Sequence, residues 1–396
     1  MIYDVVIIGA GASGLVCASY LKDSSNDKNV LLLEKNNVVG KKLSITGNGR
    51  CNLGNVSLLM KNYHSSSNFD NFKSILENND YINYLEKIGI LTTKLDDKIY
   101  PYSMQAISVC KSFERHLSEI GVDIKYNYEV FSLNKQDNLF IINNDIKSKN
   151  VVVATGGLSY PNTGSTGDGY DMLKYFNHKI TDLNPSLVSL KTNYKYIKDI
   201  QGVRVNANAM LFVNDKKLKE EYGQVQFTKD SVSGICVFNL SRNVPLYLSQ
   251  NKKVVIKIDL MSGYSDALKY ISGFKNYKLQ DALACMINNK IAQVISKEYK
   301  LFDKKVKDID EKELISVVNK LHNFELKIIG VGDFKTAQIT SGGASLDEFT
   351  NDLESKKTNG LYAIGEVLDI DADCGGFNLR WAFQSAIKVA TYLSKK

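Results

Sequence analysis

Proline is scarce in this chain, and no segment has the composition of a linker. The 396 residues include 4 prolines, and no Pro-rich or Gly/Ser-rich stretch separates one part from another. Hydrophobic residues make up 44% of the chain, which is ordinary for a globular protein. A chain of this length is expected to form two or three domains, at about 150 residues each.

The six cysteines are scattered over positions 17, 51, 110, 236, 285 and 374. No C-x-x-C pair is present, which excludes a zinc ribbon and a thioredoxin-type redox pair. Scattered, reduced thiols are typical of cytosolic proteins. The N-terminal residues Met1 to Asp4 lack the basic region of a signal peptide, and no run of 18 apolar residues occurs. We therefore expect a cytoplasmic protein without a membrane span.

Charges of one sign are never concentrated in a long block, although the net charge is +7. Most lysines occur singly or in pairs interleaved with acidic residues, as in 304–308, so a solvated surface is favoured and no nucleic-acid partner is expected. A mildly positive field favours anionic ligands. The four histidines have no metal-ligand spacing, and the alternating Asp369, Asp371 and Asp373 lack the glycine and glutamate of a calcium loop. No metal site is predicted.

Both ends of the chain carry the pattern of a nucleotide-binding domain. A strand, a tight turn, a helix and a second strand follow one another at the start, as in a Rossmann-type unit. Buried-strand character returns near the C-terminus. The predicted elements are strands at 3–9, 30–34, 151–154 and 360–366, helices at 12–22, 70–89, 104–120 and from about 376, and a hairpin-like stretch over 124–131 and 139–142.

The middle of the chain has a strand-like pattern first, then a helical pattern, and then a strand-like pattern again. Strand-like segments lie at 186–192, 203–213, 225–228, 235–240, 253–260, 324–329 and 335–340, and helical ones at 278–299 and 310–322. We predict an α/β fold with one discontinuous Rossmann-like domain, an inserted β-rich substrate domain and a helical subdomain. The predicted bounds are 1–185 with 341–396, 186–262 with 323–340, and 263–322.

Gly9, Gly11 and Gly14 form a G-x-G-x-x-G motif between the first strand and the first helix. The first glycine makes the tight turn, the second lets the backbone approach a pyrophosphate, and the third lets helix and strand pack closely. The phosphate charge then lies at the helix N-terminus. Glu34 ends the second strand, 20 residues after Gly14, where a carboxylate accepts hydrogen bonds from ribose hydroxyls. These features fit either NAD or FAD.

Two later strands decide between the two cofactors. Residues 151–157 end in Ala-Thr-Gly-Gly, and residues 358–366 end in Gly-Glu. In two-domain flavoproteins such a terminal acid lies at the ribityl hydroxyls of the flavin, whereas NAD dehydrogenases have no reason to carry it at their C-terminus. We therefore predict non-covalent FAD. Gly330 and Gly332 are not followed by a third glycine, so no second dinucleotide motif is predicted.

Several stretches together resemble a known family. They are GAGASGL (9–15), GKKLSITGNGRCNLGN (40–55), ATGGLSYPNTGSTGDGY (154–170), FTKDSVSG (227–234), AQITSGGASL (337–346) and GLYAIGEVLDIDADCGGFNLRWAF (360–383). The chain resembles the bacterial NAD(P)/FAD-dependent oxidoreductases called the aminoacetone oxidase family, which includes the BaiN-like flavoproteins. The resemblance spans nearly the whole chain. It implies a glutathione-reductase-type FAD domain, an inserted β-barrel-like domain and a small helical domain.

The resemblance also implies cofactor contacts beyond the motifs. The loop 47–52 would line the flavin, Lys42 would lie near it, and the backbone of Val130 would contact the adenine side. Arg50 would supply a fixed charge, with a structural salt bridge as the alternative. Cys51 has no second cysteine close by, which excludes a disulfide-reductase role. The expected FAD contacts are Gly9, Gly11, Ala12, Ser13, Gly14, Glu34, Lys35, Lys42, Gly47, Gly49, Arg50, Cys51, Val130, Ala154, Thr155, Gly156, Gly365, Glu366, Gly375, Gly376, Phe377, Asn378 and Leu379.

The chain departs from the family pattern at five positions. Ala372 and Ala386 stand where glycine is usual, and Arg380 stands where glutamine is usual. Lys229 and Ile235 stand where histidine and proline are common. These changes bear on the expected substrate pocket. The candidate catalytic residues there are Arg50, Tyr160 and Arg380.

We therefore expect an FAD-dependent oxidoreductase that transfers hydride through flavin N5. NADH or NADPH would be a transient electron donor, and the acceptor would be an unidentified small organic substrate. Two alternatives stay open. An RNA-modifying flavoprotein predicts basic and aromatic residues clustered on one face, and a non-catalytic FAD-binding protein predicts no turnover. The sequence leaves the oligomeric state open.

Overall fold

The structure is a computed structural model that describes residues 1–77 and 80–396. It contains two compact units. The first comprises Met1–Asn184 and Gln338–Lys396, and the second comprises Pro185–Ala337. The chain leaves the first unit once and returns to it, so the first unit is built from both ends of the sequence.

Helices occur in both units. In chain order the described helices are α1 (Ala12–Ser24), α2 (Thr46–Gly49), α3 (Lys73–Glu77), α4 (Asp80–Lys87), α5 (Ala106–Glu119), α6 (Asp168–Tyr175), α7 (Ile235–Ser241), α8 (Val244–Ser249), α9 (Ala267–Gly273), α10 (Leu279–Ala284), α11 (Asn289–Glu298), α12 (Glu311–His322) and α13 (Phe377–Lys395). Within the described ranges, no helix combines the length and the apolar character needed to cross a membrane.

Strands occur along the whole chain. They are β1 (Ile2–Ile8), β2 (Val30–Leu33), β3 (Gly54–Asn55), β4 (Tyr63–His64), β5 (Thr92–Leu95), β6 (Lys98–Pro101), β7 (Asp123–Lys125), β8 (Leu133–Gln136), β9 (Leu139–Ile142), β10 (Ile146–Val153), β11 (Asn184–Ser186), β12 (Leu190–Thr192), β13 (Arg204–Val213), β14 (Lys216–Phe227), β15 (Ser231–Ser233), β16 (Val254–Asp259), β17 (Phe324–Val331), β18 (Ile339–Ser341), β19 (Leu361–Ala363) and β20 (Asp371–Ala372).

The first unit contains a mixed sheet whose parallel part has the strand order β7-β2-β1-β10. The second half of β10 also pairs in parallel with β19, while its first half pairs with the antiparallel strand β9. Ile8 lies level with Leu33 on one side and with Val153 on the other. The parallel strands therefore end at one edge, and the loops that follow β1, β2, β10 and β19 meet there.

The parallel strands form because both of their faces are buried. All four residues of β2 and the last four of β1 are buried and apolar, which is the continuous pattern of a sheet covered on both sides. Helices α1 and α13 pack against each other in this unit. The indole N–H of Trp381, in α13, donates to the carbonyl of Gly365 at 3.0 Å. This bond fixes the C-terminal helix to the loop after β19.

The second unit is built on a closed barrel with the strand order β12-β15-β14-β13-β16-β17. Along β13, Ala207, Ala209, Leu211 and Val213 are buried and the residues between them are more exposed, which is the period-two alternation of a barrel wall. Apolar residues of α9 to α12 share one hydrophobic cluster with the barrel strands. The predicted fold class is therefore confirmed. The division into three parts, with its bounds, stays a prediction.

Two local predictions are wrong, and the strand predicted over 335–340 is found only as β18, Ile339–Ser341. Residues 235–241 form a helix, α7, rather than a strand. Gly234, with a φ of 110°, precedes it, and Cys236, Val237 and Leu240 are buried while Ile235 is 54% exposed. That spacing is one face of a helix, and a short apolar run alone does not distinguish helix from strand.

The predicted hairpin over 124–131 and 139–142 is the second error. Strand β7 pairs in parallel with β2, and β9 pairs with β8 across a turn at Asp137 and Asn138. These two residues have φ values of 47° and 66°, as a two-residue hairpin turn requires. The helix predicted over 70–89 is found as α3 and α4, and its positions 78 and 79 lie outside the described residues.

Candidate cofactor site

Two of the three glycines after β1 exclude a side chain, and the third lies in open space. Gly9 has a φ of 103°, and a methyl group there would lie 2.7 Å from the carbonyl oxygen of Ala154. A methyl group on Gly14 would overlap the carbonyl oxygen of Gly9, so the helix could not approach the strand this closely. At Gly11 no described atom lies within 4 Å of such a methyl group. Packing within the chain therefore requires glycine at 9 and 14, and the backbone at 11 stays accessible.

Helix α1 begins beside this accessible backbone with its N–H groups uncapped. Gly11 is the N-cap residue, no side chain caps the helix, and its first turn has no acidic residue. The first intrahelical bond runs from Leu15 N to Gly11 O at 3.0 Å. The N–H groups of Ala12, Ser13 and Gly14 consequently have no partner within the helix. Together with the helix dipole they favour an anion at this position.

Glu34 follows β2 and lies against the glycine turn. Its Oε2 accepts a hydrogen bond from Ala10 N at 3.0 Å, and its Oε1 accepts one from Asn36 N at 2.8 Å. The side chain is buried, so the carboxylate is held in a fixed position at the end of the strand. Asn36 Nδ2 also donates to Oε1 at 2.6 Å, so three of about four acceptor positions are used and one remains for a hydroxyl donor.

Lys35 and Val130 flank the same strand end. The ammonium group of Lys35 lies 2.5 Å from Thr166 Oγ1 and 2.5 Å from Asp168 Oδ2, at the start of α6. This side chain therefore holds α6 beside β2. Val130 is buried in the segment after β7, and Tyr128 N in that segment donates to Glu34 O at 2.9 Å.

The loops after β10 and β19 meet at the carboxylate of Glu366. A methyl group on Gly156 would lie 4.0 Å from Glu366 Oε2, and one on Gly157 would lie 3.1 Å from Oε1. Ala154 is buried, and the hydroxyl of Thr155 is buried without a hydrogen-bond partner among the described residues. The backbone of this loop therefore approaches Glu366 closely because glycines occupy it.

An ion pair and a backbone bond fix Glu366. Lys42 Nζ lies 2.8 Å from its Oε2, and Thr340 N donates to its Oε1 at 2.8 Å. Both charged side chains are 22% exposed, so the pair is only partly screened by water. Gly365, just before it, has a φ of 73°, and its N–H donates to Ser385 Oγ at 3.0 Å. The turn after β19 is thus held from two directions.

The loop after Thr46, which includes residues assigned to the short helix α2, has an unusual backbone. Gly47, Asn48, Gly49 and Cys51 all have positive φ, at 57°, 56°, 80° and 61°. Such conformations cost free energy in non-glycine residues and cluster at functional sites. Cys51 is fully buried, and burial raises the pKa of its thiol to about 12. The thiol is therefore neutral at physiological pH.

The start of α13 is the last part of the site. Gly376 is its N-cap residue, with a φ of 94°, and a methyl group there would overlap the carbonyl of Gly54. Asn55 Nδ2 donates to the carbonyl of Gly375 at 3.2 Å. No side chain caps this helix either, so the N–H groups of its first turn have no intrahelical partner. The helix start is therefore a second set of free donors held against β3.

Three residues in this first turn have different surroundings. Phe377 is buried, and its carbonyl accepts from Tyr63 Oη at 3.2 Å. The side chain of Asn378 accepts from Ala372 N at 2.9 Å and donates to Ala372 O at 2.7 Å, so only its backbone is available to a ligand. Leu379 is partly buried in the core of the first unit.

Comparison with known proteins identifies this arrangement. The family model described as HI0933-like protein Rossmann domain matches residues 3–392. The chain belongs to the HI0933-like family.

Two curated relatives match over nearly their whole length. The 3-dehydro-bile acid delta(4,6)-reductase of Clostridium scindens is 29% identical over 392 residues, with 95% of each chain covered. The ribosomal RNA dihydrouridine synthase of Haemophilus influenzae is 26% identical over 407 residues, covering 99% of this chain and 98% of that protein. Among solved structures, the open conformation of a flavocytochrome c3 fumarate reductase aligns with a TM-score of 0.51 at 15% identity, covering 99% of this chain and 78% of that one. The similarity to the fumarate reductase shows the fold alone.

This HI0933-like protein is a flavin-dependent oxidoreductase with FAD as its cofactor. Its residues fit FAD on structural grounds. The accessible backbone at Gly11 lies before the uncapped start of α1, as a pyrophosphate requires. Fixed carboxylates stand at the ends of β2 and β19, on Glu34 and Glu366.

The three candidate catalytic residues are not brought together by hydrogen bonds in the described residues. Arg50 is exposed, and its guanidinium carbon lies 5.3 Å from the ring centroid of Tyr100, a cation–π contact in place of the salt bridge considered as its alternative. Tyr160 is half-buried with a φ of 57°, and its carbonyl accepts from Thr163 N at 2.8 Å. Both stay candidates.

The structure does not favour the catalytic role predicted for Arg380, which stays a prediction. Its side chain is fully buried, and its guanidinium donates to the carbonyls of Asn55 at 3.3 Å and Leu76 at 2.7 Å. A side chain in this position is not accessible from solvent. It lies on the inner face of α13, which sequence alone did not distinguish from a face that lines a pocket.

Sequence reasoning also missed residues that hold the site together. Thr340 binds Glu366 through its N–H and accepts from Leu158 N at 2.8 Å through Oγ1. It lies within the stretch AQITSGGASL, whose only signal in the sequence is its resemblance to the family. Asn55 joins the loop after Thr46 to Gly375. Its position at the end of GKKLSITGNGRCNLGN was the available signal.

Proposed function

We propose that this HI0933-like protein reduces a small organic substrate with electrons from NADH or NADPH. When bound, FAD supplies hydride transfer at its N5 atom. The observation that carries the proposal is the turn at Gly9–Gly14, where packing excludes side chains at 9 and 14 while the backbone at 11 stays accessible. A relative 29% identical over 95% of the chain is named as a reductase, which supports the direction of the reaction.

The residues of the first unit would bind and orient the cofactor. The free N–H groups at the start of α1 would accept its pyrophosphate, and Glu34 would hold the hydroxyls of the adenosine ribose. Glu366, fixed by Lys42 and Thr340, would hold the ribityl chain. The free donors at the start of α13 would meet the pyrimidine edge of the flavin. Each group is held before binding, so little ordering is required when FAD arrives.

The nicotinamide donor would bind transiently. The described residues of the second unit form a barrel and helices, and no parallel strand–turn–helix cradle is found among them. A donor with no cradle for its pyrophosphate is expected to bind weakly and to leave after electron transfer. The catalytic candidates Arg50 and Tyr160 would contact the substrate or the donor.

Anaerobic titration of the purified protein with NADH, and separately with NADPH, tests this proposal. We expect the flavin absorbance to bleach with one of the two donors, to saturate only at high donor concentration, and to recover on addition of an acceptor substrate. The donor should not remain bound through gel filtration. Failure of both donors to reduce the flavin would contradict the nicotinamide link, and a donor retained stoichiometrically would contradict its transient binding.

A second candidate, the modification of RNA, is favoured by the distribution of charge between the two units. Residues 185–337 contain 25 Lys and Arg against 16 Asp and Glu, a net charge of +9. Residues 1–184 with 338–396 contain 25 against 27, a net charge of −2. The net +7 of the chain therefore conceals a basic second unit, and such a charge favours polyanions. The expectation of no nucleic-acid partner rested on the absence of a long block of like charges, and an excess spread over a whole unit forms no such block.

The RNA candidate is tested with the full-length protein and a ribosomal RNA transcript. Binding should weaken steeply as salt is raised, because Lys and Arg contacts with phosphates release counterions. Mass spectrometry of the transcript after incubation with NADPH should then show dihydrouridine, as the name of the H. influenzae relative describes for that protein. If the transcript is not modified and does not bind at low salt, the RNA candidate is contradicted and the small-molecule proposal is the one that remains.

A further inference from the structure

Arg380 is a buried cation that forms no salt bridge with an acidic side chain of the described residues. Its side chain is fully buried in the first turns of α13. The described residues give its guanidinium two carbonyl oxygens as acceptors, those of Asn55 and Leu76, and leave its Nε without a hydrogen bond. Burial of an unpaired charge is costly, so this position calls for an explanation.

The bonds of Arg380 join the start of α13 to β3. Its guanidinium donates to the carbonyl of Asn55, and the amide of Asn55 donates back to the carbonyl of Gly375 at 3.2 Å. Gly376 lies directly against the carbonyl of Gly54. The two segments are therefore bonded reciprocally. The start of α13 is expected to contact the flavin, and β3 follows the loop 47–52 that is expected to line it.

The charge of Arg380 adds to that of the helix terminus. An α-helix carries about half a positive elementary charge at its N-terminus. Arg380 lies four residues after the N-cap Gly376, which is about 6 Å along the axis, and brings a full positive charge into the same region. Two like charges near each other in a low-dielectric interior destabilise the empty protein, and an added negative charge relieves them.

We propose that Arg380 is a positioning residue with an electrostatic role: it fixes β3 against the start of α13 and stabilises negative charge on the cofactor there. The inference rests on the proposed function, in which the start of α13 faces the flavin. The positive charge raises the midpoint potential of the bound cofactor and its affinity. The bonds to Asn55 and Leu76 set the position, and the charge stays available because no described acidic side chain forms a salt bridge with it.

The test compares three variants by the midpoint potential of bound FAD, measured by equilibration with redox dyes, and by the dissociation constant of FAD. Arg380→Gln removes the charge and keeps a donor, so the potential should become more negative and FAD affinity should fall about tenfold. Arg380→Lys keeps the charge and should restore much of the potential. Asn55→Ala keeps Arg380 and breaks the bond to Gly375, so it should weaken FAD binding with little change in potential.

Lys388→Gln is the matched control, because Lys388 lies on the same helix but is 39% exposed and paired with Asp352 at 2.9 Å. It should leave the potential unchanged. An unchanged midpoint potential in Arg380→Gln overturns the electrostatic role. If Arg380→Gln does not fold, Arg380→Lys is compared with Arg380→Met. An equal shift of the midpoint potential in these two variants then overturns the electrostatic role. The dye measurement uses neither nicotinamide nor substrate. A protein that binds FAD but shows no activity would therefore contradict the proposed function and leave the measured potentials, and the test of Arg380, unaffected.

Discussion

Lys42 Nζ lies 2.8 Å from Glu366 Oε2, although 324 residues separate the two in the sequence. The pair links the loop that leads into the left-handed backbone after Thr46 with the turn after β19. Both residues are 22% exposed, so their attraction is weaker than in a dry interior but stronger than between two surface side chains. The acid expected to hold the ribityl chain is therefore oriented by a base from the other end of the domain.

Glu366→Gln should weaken FAD binding by roughly tenfold to a hundredfold, because hydrogen bonds to a charged acceptor are worth about 1.5–3 kcal/mol. Lys42→Ala should weaken it less, since Thr340 N still binds Glu366. The double variant should bind FAD no more weakly than Glu366→Gln alone, which isothermal titration of the apoprotein measures. Lys149→Ala, which breaks a pair with Asp4 at 2.8 Å, is the control. Strictly additive effects of Lys42 and Glu366 would show that the two residues act separately.

Gly11 and Gly14 should respond to substitution in opposite ways. Gly11→Val places a side chain where no described atom lies within 4 Å, so the melting temperature of the apoprotein should barely change while FAD affinity falls at least tenfold. Gly14→Ala overlaps the Gly9 carbonyl and should destabilise the apoprotein by about 1–3 kcal/mol.

Gly273→Val is the control for Gly11→Val, because Gly273 also has no described neighbour within 4 Å of an added methyl group and lies in the second unit. It should leave FAD affinity unchanged. Full FAD occupancy in Gly11→Val would mean that the pyrophosphate binds elsewhere.

The parts of the fold that sequence predicts are those fixed by local pattern. Strands β1 and β2 are continuous apolar runs, and Gly9, Gly11 and Gly14 have the spacing that a turn between strand and helix requires. The structure shows a packing reason for Gly9 and Gly14, and it leaves the backbone at Gly11 accessible. Here the information lies within a few residues of the position concerned.

The parts that sequence does not predict depend on distant residues. Arg380 occupies a helix in which a charged residue is ordinarily exposed, and its burial depends on carbonyls 325 and 304 residues away. The helix over 235–241 was mistaken for a strand because its apolar run is too short to show a helical period. The role of Thr340 depends on the turn that brings Glu366 to its N–H. No local pattern carries these facts.

Cys51 is expected to be chemically inert despite its place beside the left-handed loop. Burial raises the pKa of its thiol to about 12, so the reactive thiolate is absent near neutral pH. Iodoacetamide at pH 8 should label the exposed Cys285 and leave Cys51 unlabelled in the folded protein, as mapped by peptide mass spectrometry. Cys51→Ala should keep FAD reduction within about twofold of the unmodified rate. Rapid labelling of Cys51, or loss of the reaction in Cys51→Ala, would indicate a chemical role for the thiol.

The same burial of Cys51 predicts a loss of stability in base. A thiol in the unfolded chain ionises near pH 8.5, whereas the folded thiol stays neutral to about 12. Its contribution to stability is therefore complete below about pH 8.5 and is lost as the pH rises towards the folded value. Cys51→Ala should flatten this alkaline slope in denaturant unfolding. Cys17→Ala, at another buried thiol with a pKa raised to about 12 by burial, should flatten it to a similar extent.

His178 should set the acid side of the stability profile. Its side chain is fully buried, stacked on Phe349 at 4.7 Å between ring centroids, and lies 3.1 Å from Glu348 Oε2 and 2.7 Å from Ser355 Oγ. Burial lowers the pKa of the imidazole, and this outweighs the opposing effect of Glu348. The unfolded chain therefore takes up a proton near pH 6.5 that the folded chain does not. Stability is complete above that pH and falls as the pH decreases towards the folded pKa, which urea unfolding between about pH 7 and pH 5 measures.

In His178→Gln the overall stability should drop, because the ring contact with Phe349 is lost, but the slope over this pH interval should become shallower. An unchanged slope in the variant would show that another group controls acid unfolding.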